Sequence, residues 1–152
     1  MANNSFEIIK ATAEETETIV QFQLAMAQES EGTSLDLERL RNGVSKAMED
    51  PAKGEYLVAK SNGKTIASLM LTKEWSDWNA QWYLWVQSVY VLPEFRRQGV
   101  YKTMYEKVKT IAKEQNISQV RLYVDTTNYP AQQTYQRLGM KQTHYLMYEE
   151  NV

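Results

Sequence analysis

The sequence predicts an α/β fold of the α+β kind, with a mixed, mostly antiparallel central sheet flanked by about four helices in one domain over residues 5–150. Three observations carry this. The chain has 152 residues, the length of one domain, and 43% of them are hydrophobic, enough for a sizeable core. Stretches with strand-type alternation are interspersed with stretches of helix-type spacing. Asn62-Gly63 stands between two strand-like runs, the strongest short-range sign of an antiparallel hairpin.

The elements follow in order. Ser5 to Ala11 reads as a first strand, with Phe6, Ile8 and Ala11 apolar. Thr12 with Glu15 forms a capping box, and a helix runs to about Gln28 with Ile19, Phe22 and Met26 on one face. After the polar break Glu29 to Ser34, Asp36 to Met48 is a second helix, striped by Leu37, Leu40, Val44 and Met48. Glu55 to Lys60 and Lys64 to Glu74 are the hairpin strands, and Gln81 to Val91 is a long strand after the turn Trp75 to Ala80. Gln98 to Gln115 is a helix whose stripe is Val100, Tyr101, Met104, Tyr105, Val108, Ile111 and Ala112. Val120 to Asp125 is a strand, Pro130 to Leu138 a short helix ended by Gly139 with positive φ, and Met140 to Glu149 a closing strand.

Composition removes several classes of function. With no cysteine there is no disulfide, thiolate nucleophile or thiolate metal site, and the lone His144 has no clustered partners, so no metal is expected. A net charge of −2 speaks against nonspecific nucleic-acid binding. No apolar run reaches the roughly 18 residues that span a bilayer, and Met1 to Ser5 lacks the pattern of a secretory leader. A cytoplasmic protein with no membrane partner is expected.

The most informative stretch is Val89 to Lys102. A β-branched strand runs through Val91-Leu92-Pro93 into Arg96-Arg97-Gln98-Gly99 and then a long helix. Such a loop aims backbone N–H groups and the positive end of a helix dipole at one spot, which suits phosphate. Neither the Walker spacing nor Gly-x-Gly-x-x-Gly is present. Cations are disfavoured at that end of a dipole, so Arg96, Arg97 and Lys102 crowd there to more purpose with an anion between them.

This loop resembles the acyl-CoA signature of the GNAT superfamily of N-acetyltransferases, Gln/Arg-x-x-Gly-x-Gly/Ala after a Val-x-Pro turn. Arg96 takes its first position and Gly99 its fourth, while Tyr101 stands where the family prefers Gly or Ala. A second segment, Asn128 to Met140, is similar to the family's late Asn-x-x-Ala-x-x-x-Tyr-x-x-x-Gly helix, through Asn128, Ala131, Tyr135 and Gly139. The resemblance implies a GNAT-like domain that binds acetyl-CoA as acyl donor. The pyrophosphate would lie on Arg96, Arg97, Gln98, Gly99, Val100, Tyr101 and Lys102, and the pantetheine arm along Val89, Tyr90 and Val91, where the family's strand splays at a bulge. Asn128 is either a helix cap or a cofactor ligand.

Tyr135 is the candidate general acid. A phenol with pKa near 10 can share its proton with a forming thiolate, and in the resembling family the matching tyrosine serves the sulfur. The competing reading places Tyr135 with Ala131 and Leu138 on an apolar helix face. Many relatives carry a glutamate base four residues before the Val-x-Pro valine, where this chain has Gln87. Glu74, Asp125 and ordered water are the replacements. All four tryptophans lie between Trp75 and Trp85; Trp75 and Trp78 are candidates to shape an acceptor site, against plain hairpin packing.

The expected function is acetyl transfer to a primary amine, of a small molecule or a lysine, by direct attack in a ternary complex, because no cysteine or serine triad offers an acyl carrier. The alternative is a catalytically weak acyl-CoA-sensing module. A homodimer is compatible with either.

Overall fold

The computed structural model describes residues 5–152. Met1 to Asn4, within the segment read above as lacking a leader, lie outside the described residues. The chain divides after Leu122 into two compact units.

The first unit carries a five-stranded sheet in the order β1 (Glu7–Lys10), β2 (Glu55–Ser61), β3 (Lys64–Ser76), β4 (Gln81–Val91), β5 (Val120–Arg121). The first four run antiparallel to their neighbours; β5 runs parallel to β4. A parallel neighbour needs a long crossover, and α3 (Val100–Glu114) supplies it. β2 and β3 meet at Asn62 and Gly63, whose φ of 49° and 78° are the paired positive values a two-residue hairpin demands.

Strand alternation sorts the side chains onto two faces. Leu57, Ala59, Leu69, Leu71, Leu84 and Val86 pack with Val100, Met104, Val108 and Ala112 of α3. On the other face Tyr56, Val58 and Met70 meet Ile19 and Val20 of α1 (Thr16–Glu31) and Val44 and Ala47 of α2 (Leu37–Glu49). The Thr12–Glu15 capping box is present, and it opens a short 3₁₀ turn before α1. Asp36 caps α2 by accepting the Arg39 N–H at 2.7 Å.

The second unit contains α4 (Tyr129–Arg137), started by Asn128, whose Oδ1 accepts the Ala131 N–H at 3.2 Å, and followed by Gly139 at φ 95°. Two expectations need correction. The strand expected over Val120 to Asp125 contains only Val120 and Arg121, and the closing strand expected over Met140 to Glu149 does not form. Residues 141–149 are all exposed. Aromatic and apolar residues form a strand only where a neighbouring ladder receives them, and that neighbour is not encoded locally.

Candidate active site

The site is built where β4 ends. Gln87 faces Met70 and Tyr90 faces Ser68, so Ser88 and Val89 together oppose the single residue Leu69. This is a β-bulge, and Ser88 sits in it at φ 56°. The parallel ladder to β5 reaches only Trp85. From Val86 to Val91 that edge of β4 has no ladder partner among the described residues, so Val89, Tyr90 and Val91 lie on an edge that could take an extended amide chain.

Beyond it, Pro93–Phe95 is one 3₁₀ turn with proline in its first position. Arg97 (φ 62°) and Gly99 (φ 80°) then take left-handed backbone two residues apart, which turns successive N–H groups to one side. The first intrahelical bond of α3 runs from Thr103 N–H to Gly99 O at 3.0 Å. Ahead of it the amides of Arg97, Gly99, Val100 and Lys102 donate to no acceptor among the described residues. No side chain caps α3 and no acidic residue stands in its first turn. A helix start so bare, with Lys102 inside it, has the free donors and the charge that an anion would need. A Cβ at Gly99 would project into open space, so glycine serves the backbone turn here.

The side chains around this mouth divide. Among the described residues, Arg97 and Lys102 form no ion pair, and both are exposed. Gln98 turns back, its Nε2 donating to Glu94 O at 2.9 Å. Arg96 turns away altogether: its guanidinium donates to Val91 O (2.9 Å) and to Glu29 (2.7 Å), and lies over the Tyr90 ring. The Tyr101 ring stacks on Tyr105 at 6.1 Å and packs against the α3-side core. Its bulk therefore lies along the helix flank.

On the α1 face of β4 the Gln87 amide donates to Thr72 Oγ1 at 2.9 Å. Glu74 accepts from the Trp85 indole (3.1 Å) and Arg121 (3.2 Å), and Arg121 lies 4.1 Å over the Tyr83 ring. Trp75 is paired with Trp82 in a T-shaped contact at 5.1 Å, on the opposite face from Glu74, Trp85 and Gln87. Trp78, in the turn, is 90% exposed. None of the four tryptophans is buried in the core, and the one that shares a face with Gln87 is Trp85.

In the second unit Asp125 accepts from the Thr127 N–H (2.7 Å) and hydroxyl (2.6 Å). These bonds hold its carboxyl below the usual pKa and make it a weaker base. Burial pushes the Tyr135 phenol up, which keeps its proton in place at neutral pH. Sequence reasoning missed Glu29 and Arg121, whose ion pairs join distant segments, and Ser88, whose left-handed backbone belongs to the bulge.

With this geometry in view, the family comparison is direct. Residues 16–140 match the model of the acetyltransferase (GNAT) family. A solved structure described as a possible acetyltransferase from Clostridium difficile 630 superposes with a TM-score of 0.90, at 40% identity and 97% coverage of both chains. An aminoalkylphosphonate N-acetyltransferase of Salmonella typhimurium is 25% identical, covering 91% of this chain and 87% of that one. A mycothiol acetyltransferase of Corynebacterium aurimucosum is 31% identical over 68% of this chain, which spans 35% of that protein. The chain belongs to the acetyltransferase (GNAT) family, and is an N-acetyltransferase with acetyl-CoA as acyl donor. The bare, acid-free start of α3 fits the donor's pyrophosphate. Among the described residues no helix is long and apolar enough to cross a membrane.

Proposed function

We propose that residues 5–150 act as one cytoplasmic N-acetyltransferase domain that acetylates the primary amine of a small molecule by direct attack in a ternary complex. The observation that carries this is the uncapped start of α3 directly beyond the bulged, one-sided end of β4. The two curated relatives described above are named for small-molecule substrates, which favours a small acceptor over a lysine on a protein.

In this reading the N–H groups from Arg97 to Lys102 hold the pyrophosphate, with charge from Arg97 and Lys102. The backbone of Val89 to Val91 aligns the pantetheine arm. Acetyl-CoA supplies an activated acetyl thioester. The amine nitrogen bonds to the acetyl carbon, the carbon–sulfur bond breaks, Tyr135 gives its proton to the departing thiolate, and the proton shed by the amide nitrogen returns through water to the phenolate. An amine with pKa near 10.4 is uncharged in well under about a hundredth of molecules at pH 7, so its proton must first leave. Glu74 is held by Arg121 and Trp85, and Asp125 by Thr127. We therefore assign deprotonation to water on the Gln87–Thr72 face. Holding amine and thioester together supplies several kcal/mol of the acceleration. Screening a library of small amines for CoA release tests the assignment; release with no member beyond the solvent rate would overturn it.

A further inference from the structure

Arg96 opens the loop motif, and its charge would ordinarily be counted toward phosphate. Its position says otherwise. Its Nε donates to Val91 O at 2.9 Å, its Nη2 to Glu29 Oε2 at 2.7 Å, and its Cζ lies 5.4 Å from the Tyr90 ring centroid. Tyr90 itself donates to Glu29 Oε1 at 3.2 Å. One carboxylate thus ties the last residues of β4 to the first residue of the loop before α3. The Arg96 N–H is also used, donating to Pro93 O at 3.2 Å.

Glu29 is placed at some cost to its own helix. It lies in the last turn of α1, which contains no basic residue, and the negative end of a helix dipole disfavours carboxylates. Arg96, coming from 67 residues away, offsets that charge. Without Glu29 the guanidinium would be free to join Arg97 and Lys102 at the mouth of α3.

We propose that Glu29 is a positioning residue for acetyl-CoA. Through Arg96 it holds the end of β4 and the following loop in the shape that receives pyrophosphate, and Arg96 braces that cradle without touching phosphate. This rests on the cradle reading above. A phosphate-touching Arg96 and a bracing Arg96 make opposite predictions for Glu29→Gln. Freed to reach phosphate, Arg96 would tighten cofactor binding; as a lost brace, it weakens it.

Calorimetric titration of the full chain with acetyl-CoA distinguishes them. Glu29→Gln is expected to raise Kd about fivefold, the scale of one charge-assisted pair, with kcat at saturating donor and the acceptor KM within about twofold of the parent. Arg96→Lys, which keeps the charge and loses the fork, should raise Kd similarly. Salt provides a second readout: Arg97→Gln and Lys102→Gln should flatten the dependence of Kd on ionic strength, whereas Glu29→Gln and Arg96→Gln keep the parent slope. Equal or tighter binding by Glu29→Gln, or a flattened slope in Arg96→Gln, overturns the brace alone. A parent chain that binds no acetyl-CoA overturns the cradle and the brace together.

Discussion

Gln87 and Tyr90 are three residues apart on β4 and yet face the same side of the sheet, because the bulge at Ser88 and Val89 lies between them. In a regular strand, residues an odd number apart point to opposite faces. The bulge thus lets Gln87 face the sheet surface beside Thr72 while Tyr90 reaches Phe22 and Glu29 of α1 on that same side.

That arrangement rests on Ser88 at φ 56°. Ser88→Gly should be neutral within about 0.5 kcal/mol, while Ser88→Val should cost about 2 kcal/mol and weaken acetyl-CoA binding, since β-branched residues resist left-handed backbone. Urea unfolding and calorimetry read both. Equal tolerance of valine and glycine would remove the bulge from its role.

Tyr135→Phe deletes one oxygen. Turnover should fall about a hundredfold, the lower range for loss of a general acid, with Kd for acetyl-CoA unchanged within about twofold. Unaltered turnover would return Tyr135 to a packing role.

Glu74 and Asp125 are both occupied, the first by Arg121 and Trp85, the second by Thr127. The parent is expected to show a pH–rate profile with an alkaline-rising limb, and Glu74→Gln and Asp125→Asn should keep it. If that limb vanishes in either variant, the carboxylate, and not water, takes the amine proton.

Stability should depend on pH through Glu15 and Lys60, paired at 2.9 Å with Glu15 almost fully buried. Burial works to raise the Glu15 pKa, but Lys60 and the Thr12 N–H and hydroxyl outweigh it and hold it below 4.5. A lowered carboxyl stabilises the fold above its ordinary pKa and loses that contribution as pH falls through the lowered value. The exposed Glu17, brought down to about 2 by Arg41 and then Gln21, acts in the same window. Lys60→Met leaves a buried carboxylate unpaired. It should cost about 2 kcal/mol at pH 7 and move the onset of acid unfolding upward; an onset at the parent pH would contradict this.

The helices and the hairpin were legible in the sequence because their signals are local. Asn62-Gly63 specifies its turn, Thr12 with Glu15 its cap, and the Val100 to Ala112 stripe its buried face. The left-handed turn at Arg97 and Gly99, on which the proposed cradle rests, lies within one loop for the same reason. What local pattern could not supply was contact across distance. The bond from Arg96 to Glu29 spans 67 residues and has no local signal. The contact of Glu74, one of the base candidates, with Arg121 spans 47 residues and has no local signal either. The segment Met140 to Glu149 contains the apolar run Tyr145 to Tyr148, but forming a strand depends on a ladder elsewhere in the fold.

The central claim is that the start of α3 receives the pyrophosphate of acetyl-CoA. Calorimetric titration of the parent chain at two salt concentrations tests it most directly. Binding within roughly the micromolar-to-millimolar range typical of enzyme substrates, weakened by salt and about tenfold weaker in the Arg97→Gln, Lys102→Gln double variant, is the expected result. No heat with millimolar acetyl-CoA, or binding indifferent to both substitutions, would contradict it.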